Sequence, residues 1–335
     1  MSTARPNAIV LFHYTFSPYA RRIVWYLTLR GIPYAQCLVA PILPREDISV
    51  LGVKYRRIPI LSIGRDIYCD TRLILRKLES LFPTGALAAS PPSEKALEQL
   101  LEQWTVDGGV FWRCGQLIPA EIPLIKDPKF KKDREDYAGR SWQESDIVAG
   151  RPEALAAMRG FFGFLEEGLL ADGREWIGAT KAPSMADLNS VWPFHWLQGI
   201  PGALPPHLFS PEIYPKVYAW IARFDSAVAA AKNSAPEPAA LQGEELVKHV
   251  TSAEFAEKET RVDEDDPLGL KQGQEVEVWP TDTGFNHKDR GRLVGLTKVE
   301  VVIEVQSKVG GKVMRIHAPR VGFRVRAVGG DGSKM

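Results

Sequence analysis

The apolar residues of this chain change period twice, and the first change does most to restrict the fold. "AIVLFHY", from Ala8, reads as a strand, "SPYARRIVWYLTLRG" as a helix stopped at Gly31, and "YAQCLVA" as a second strand. After a proline-rich loop, "PILPRED", come "IPILSIG" and "DIYC", two short apolar runs separated by Gly64-Arg65 and predicted to form a hairpin. "DTRLILRKLESLF" then repeats Leu and Ile at helical spacing, with Asp70 or Thr71 as its N-cap. The order β-α-β, loop, β-β-α is what a thioredoxin-like domain requires, and residues 1–85 are assigned to it.

Past "PTGALAASPPSE" the strand signals stop, and residues 92–232 read as an all-helical domain. Its first helix is expected to run from Glu94 to about Arg113, and a second from Pro152 to Leu170. "PSMADLNSVWPFHWLQ" and "YPKVYAWIARFDSAVAAA" supply two more; Ser184 and Asp187 form a predicted capping box, a folding device and not a binding one. Residues 233–266 are rich in Ala, Glu and Pro and read as a linker with one short helix near Glu244–Glu257. Over 267–328 the period falls to two, with roughly five short strands between turns, the pattern of a small β-barrel or rolled sheet. The fold class expected is multidomain α+β.

A formal charge of +1 leaves no global field to draw the chain onto nucleic acid or an anionic membrane, and no run of about 18 apolar residues suggests a span. Basic and apolar residues interleave in the last strands, but a solvated sheet face accounts for that without nucleic acid. Cys37, Cys69 and Cys114 fit neither a disulfide framework nor a zinc site, which points to a reducing compartment and a cytoplasmic protein. The six histidines show no metal-ligand spacing, so no metal is expected.

Three short stretches carry chemistry. Ser17, followed by Pro18, is suited to cap a helix, yet a hydroxyl beside the free N–H groups and positive end of a helix also suits an anion such as a thiolate. Pro59 marks a loop or, if the Ile58–Pro59 bond is cis, turns the Ile58 backbone toward a peptide lying alongside. Asp70 and Thr71 cap a helix, or pair a carboxylate for an ammonium with a hydroxyl for a carboxylate, a receptor for an α-amino acid head group.

In this order within one frame, "SPYARRIVWYL", "IPIL" and "DT" resemble the glutathione transferase superfamily. The first resembles the active-site segment of serine-type tau-class enzymes and is similar to the omega-class segment, where cysteine stands at the place of Ser17. The resemblance covers roughly Ala8 to Ala231 and implies glutathione as co-substrate, with Ser17, or Tyr14 as second choice, holding its thiolate. It implies that Ile58 and Pro59 meet the cysteinyl backbone, that Asp70 and Thr71 hold the γ-glutamyl group, and that Arg57 is a candidate for the glycyl carboxylate. His13, Trp112 and Arg113 are expected in the pocket for a hydrophobic electrophile, either a xenobiotic or an intermediate of specialised metabolism. The family often forms homodimers, so one is expected here. Two other readings stay open: a non-catalytic module whose β domain recruits a protein partner, and a thiol transferase or lyase, against which Ser17 speaks because a mixed disulfide needs cysteine there.

Overall fold

In the computed structural model, which describes residues 9–329, the first strand is buried on both faces. Ile9 and Leu11 of β1 (Ile9–His13) belong to one core, Val10 and Phe12 to another, as alternation along a strand requires. Then come α1 (Pro18–Leu29), β2 (Ala35–Leu38), the single turn α2 (Glu46–Ser49), β3 (Ile60–Ile63), β4 (Asp66–Cys69) and α3 (Thr71–Leu81). β1 pairs parallel with β2 and antiparallel with β3, and β3 pairs antiparallel with β4. This is the thioredoxin-like unit that the first period change implies.

The helical part comprises α4 (Pro92–Val106), α5 (Val110–Gln116), α6 (Pro123–Lys126), α7 (Pro128–Ala138), α8 (Glu144–Gly163), α9 (Met185–Gln198) and α10 (Pro215–Lys232), with α8 widening into a π-type turn through Leu169. The single helix expected from Glu94 to Arg113 is in fact two. Asp107-Gly108-Gly109 interrupts it, and Gly109 takes φ +87°, a conformation that ends a helix and favours glycine. α8 starts earlier than expected, with Pro152 inside it. The capping box holds α9: the Ser184 N–H donates to Asp187 (2.9 Å), whose other oxygen accepts from the Ile177 N–H (2.8 Å) and the Trp220 indole (2.9 Å).

The last strands are β5 (Ala239–Ala240), β6 (Glu275–Pro280), β7 (Asp289–Leu296), β8 (Glu300–Gln306), β9 (Val313–Pro319) and β10 (Phe323–Ala327), with α11 (Gly243–Thr251) after β5. The five strands from β6 onward do not form a unit apart. β9 pairs parallel with β4, through Asp66↔Arg315, Ile67↔Ile316 and Tyr68↔His317, so all ten strands form one sheet in the order β10-β6-β7-β8-β9-β4-β3-β1-β2-β5. Five flat strands would set β9 and β10 about 19 Å apart. The three residues Arg320–Gly322 that join them span at most about 14 Å, so this part of the sheet must roll.

The segment 233–266 is laid against the sheet: β5 pairs with β2, while Leu241, Leu246 and Val250 are buried in the second core. Phe255 lies between the guanidinium groups of Arg65 and Arg315, 4.0 and 3.9 Å from its ring centre. Where β4 meets β9, Ile67 and Ile316 pair in the second core, while the opposite face of the joint is polar. The His317 imidazole, fully buried, bonds Asp66 (2.9 Å) and faces Glu257 and Glu300, and the Lys77 ammonium bonds both glutamates at 2.7 and 2.8 Å. His317, Glu257 and Glu300 therefore come together at metal-ligand distances, a grouping absent from the linear spacing, but Lys77 already supplies a cation to the two carboxylates. The three cysteines are buried and unpaired, and among the described residues no helix is long and apolar enough to cross a membrane.

Candidate active site

Phe12 pairs with Ile60, and Ile60 with Cys69, so the end of β1, the start of β3 and the end of β4 lie side by side. Three adjoining segments, Tyr14–Ser17, Ile58–Pro59 and Asp70–Thr71, are thereby brought to one end of the sheet. Ser17 has extended backbone and caps α1: its Oγ accepts from the Ala20 N–H at 3.2 Å, with Pro18 at the first helical position. Accepting that bond leaves the hydroxyl proton to donate, and the Tyr14 phenol lies within its reach, so capping and anion binding use different parts of one group. The Ser17 N–H donates to the Tyr14 carbonyl (3.1 Å). Burial pushes the Tyr14 phenol up, with the Arg134 guanidinium opposing it, so the phenol stays protonated at neutral pH.

The Ile58–Pro59 peptide is cis, and among the described residues neither the Ile58 N–H nor its C=O has a backbone partner. Asp70 has φ +71° and ψ 134°, strained backbone for a residue with a Cβ. Arg72 compensates: its backbone N–H and Nε donate to Asp70 Oδ1 and its Nη2 to Oδ2, each at 3.0 Å. Burial works against the charged form, but Arg72 and then Arg57 outweigh it and hold the Asp70 carboxyl below its ordinary value.

Thr71 is less available than its position suggests, because its hydroxyl accepts from Arg22 Nη1 (3.0 Å). Arg22, wholly buried, also bonds Glu102 (2.7 Å) and Asn189, tying α1 and α3 to α4 and α9. Arg57 lies at the site, 3.9 Å from Asp70, with its Nε and Nη2 on the Thr283 carbonyl (3.0 and 2.7 Å) and a further bond to Asp282. Its neighbour Arg56 is buried between Asp133 and Asp136 of α7.

The residues expected around an electrophile are not brought to one wall. His13 is buried and bonds Gln36 (3.1 Å), and burial lowers its pKa. Trp112 packs under the Arg140 guanidinium (4.0 Å), and Arg113 bonds Gln116 and faces Glu153. The helix break at Gly108-Gly109 turns Phe111 toward α1 instead, where it meets Tyr19 (4.6 Å between ring centres), Trp192 (5.2 Å) and Trp196 (5.5 Å). α7, which no apolar stripe announces because none of its side chains is buried, brings Arg134 and Tyr137 near Tyr14. Its caps were the available signal: the Asp127 carboxylate accepts from the Lys129 and Phe130 N–H groups, Pro128 follows, and Gly139 takes φ +66° at the other end. A cleft of about 500 Å³ between residues 43–55, the β6–β7 loop and Lys308 is lined by Arg45, Lys54, Glu277, His287 and Lys288, and by none of Ser17, Ile58 and Asp70.

Residues 11–95 match the family described as glutathione S-transferase, N-terminal domain, and residues 113–233 match a domain family of unknown function, DUF7962. A probable glutathione S-transferase of Solanum tuberosum is 24% identical over 165 residues, 45% of this chain and 72% of that protein. A GST-like protein from Pseudomonas syringae shares the fold with a TM-score of 0.73 at 23% identity, covering 96% of this chain and all of that one, so the likeness takes in the C-terminal strands. Rice GST1 in complex with glutathione aligns with a TM-score of 0.50 at 16% identity, over 70% of this chain and 94% of its own. The chain is glutathione transferase-like in its N-terminal domain and in its fold.

Proposed function

Starting from a glutathione transferase-like chain, we propose that it is a glutathione-dependent transferase in which Ser17 stabilises the glutathione thiolate for attack on an electrophilic carbon. The observation that carries this reading is the meeting of Ser17, the unpaired Ile58 backbone and the strained Asp70 at one end of the sheet. A tripeptide laid along Ile58 gains two backbone hydrogen bonds, its ammonium faces the Asp70 carboxylate, and its sulfur falls at the start of α1. There the Ser17 O–H and the helix terminus act together. Lowering a thiol pKa by roughly two units takes about 2.7 kcal/mol of preference for the charged form. The thiolate then forms a C–S bond as the leaving group departs with the electron pair of its own bond, while the thiol proton has already passed to solvent. The half-buried rings of Tyr19, Phe111 and Trp196, grouped with the buried Trp192, offer an apolar surface for an electrophile, with Tyr19 close to Ser17 in sequence.

Calorimetric titration with glutathione, followed by turnover against a panel of electrophiles, tests this on the wild type and Ser17→Ala. Wild type is expected to bind; Ser17→Ala is expected to keep binding while turnover at neutral pH falls about tenfold, the helix terminus retaining the rest of the effect and the thiol pKa rising by about one unit. Binding with an unchanged rate in Ser17→Ala would transfer the role to Tyr14, and no binding by wild type would reject the reading.

A further inference from the structure

β10 pairs with β6 through Phe323↔Pro280, and β9, which precedes β10 by a three-residue turn, pairs with β4. This topology sends the β6–β7 loop to the end of the sheet where Ser17, Ile58 and Asp70 lie. The loop is fixed there. The Gly284 N–H donates to the Tyr137 carbonyl (2.7 Å), the His287 imidazole bonds Asp136 (2.7 Å), and Phe285 lies against Gly139, where a Cβ would come within 2.2 Å of its ring. From this anchored loop the Thr283 carbonyl and the Asp282 carboxylate reach Arg57.

We propose that Asp282, carried by the C-terminal sheet, is a positioning residue of the glutathione site that acts through Arg57. The proposal rests on the glutathione reading above and names a part within it for the strands from β6 onward. Arg57 is enclosed, its side chain 13% exposed, whereas Asp282 is 64% exposed, so the pair as such adds little to folding. Its effect is on direction. Nε and Nη2 are committed to the loop, while Nη1, 3.9 Å from the nearest Asp70 oxygen, is beyond hydrogen-bond distance and keeps its protons for a ligand. A guanidinium held at two of its three nitrogens presents the third with little rotamer freedom left to lose, next to the carboxylate that receives an ammonium. That juxtaposition fits a zwitterionic amino acid group or a peptide carboxylate.

The test is calorimetric binding of glutathione to the full chain as wild type, Asp282→Ala, Asp282→Asn, Arg57→Ala and the Asp282→Ala/Arg57→Ala double variant, with thermal midpoints measured alongside. Asp282→Ala is expected to weaken binding about five- to tenfold with its midpoint unchanged, and Asp282→Asn, which keeps an acceptor, to recover most of that loss. In the Arg57→Ala background the Asp282 change is expected to have no further effect. Equal affinity of Asp282→Ala and wild type would overturn the inference while leaving the glutathione reading intact, as would losses that multiply independently in the double variant. Failure of wild type to bind glutathione overturns both. If Asp282→Ala does not fold, Asp282→Leu, which also removes the acceptor, and Arg57→Ala/Asp282→Leu decide by the same comparison.

Discussion

The two halves of the ten-stranded sheet are built on different terms. In β1, β3 and β4 every residue is buried, whereas β7 and β10 alternate buried and exposed positions for part or all of their length. The first half is held by apolar contact on both faces, and its loops at one end carry the candidate active site. The second half shares an apolar core with the first, where Ile67 and Ile316 pair, and adds charged contacts: His317 and Asp66 across β4–β9, Asp289 on the backbone of Lys54, and the β9–β10 turn on Arg72. Burial on two faces fixes the platform, while the added strands sit on it through one shared apolar face and a set of polar joints.

Those joints offer three ways to separate the halves, and the largest effect is expected at His317. His317→Ala leaves the Asp66 carboxylate buried with the Glu257 N–H and no charged partner, a loss of about 3–5 kcal/mol that denaturant unfolding would read. Burial opposes charging His317, but Asp66 and Glu300 outweigh it and raise its pKa. Its contribution is therefore complete below the ordinary histidine value and fades as pH rises through the raised one. A loss below about 1 kcal/mol would mean that backbone pairing and the shared apolar core carry the joint.

Asp289 gives the next effect, with a different pH window. Burial pushes its carboxyl up to about 7 even though the Lys54 and Tyr55 N–H groups donate to it. The folded chain keeps this proton where the unfolded chain has released it, so Asp289 makes stability fall by a few kcal/mol as pH rises from about 4 to about 7. Asp289→Asn should flatten that interval and leave the His317 fade at higher pH. An unaltered profile in the variant would refute the assignment.

The smallest effect is expected at Gly322, which has φ +76° and whose Cβ would lie 2.8 Å from Arg72 Nη2. Gly322→Ala should cost about 1–2 kcal/mol from the backbone alone. Because the clashing atom ends a flexible side chain, the guanidinium can move, loosening its hold on Asp70. Weaker glutathione binding together with the stability loss would show that this joint reaches the site; the stability loss alone would confine it to the second half.

How much of this was legible in the residues follows from how local each cause is. The first unit was readable because Ser17-Pro18, Gly31 and Asp70 punctuate apolar runs of clear period, and all three act on their own neighbours in sequence. α7 was not, since a helix with no buried side chain leaves no stripe. The joining of β4 to β9 depends on a pairing some 250 residues apart, which no local pattern encodes; Asp66 and His317 among largely apolar strand residues were its trace. The hold on Arg57 was hidden for another reason, because half of it is the Thr283 carbonyl, an atom every residue possesses.

A thioredoxin-like sheet that stopped at β4 would present that strand's free N–H and C=O groups to any passing chain. Here β9 covers them, and the exposed rims move to the two ends of the strand order. One rim is β5, a mere two residues long; the other is β10, where Arg324 and Arg326 are exposed. Short rims and rims bearing charge are poor templates for edge-to-edge association. The added strands thus protect the protein from aggregating through the very sheet that carries its site.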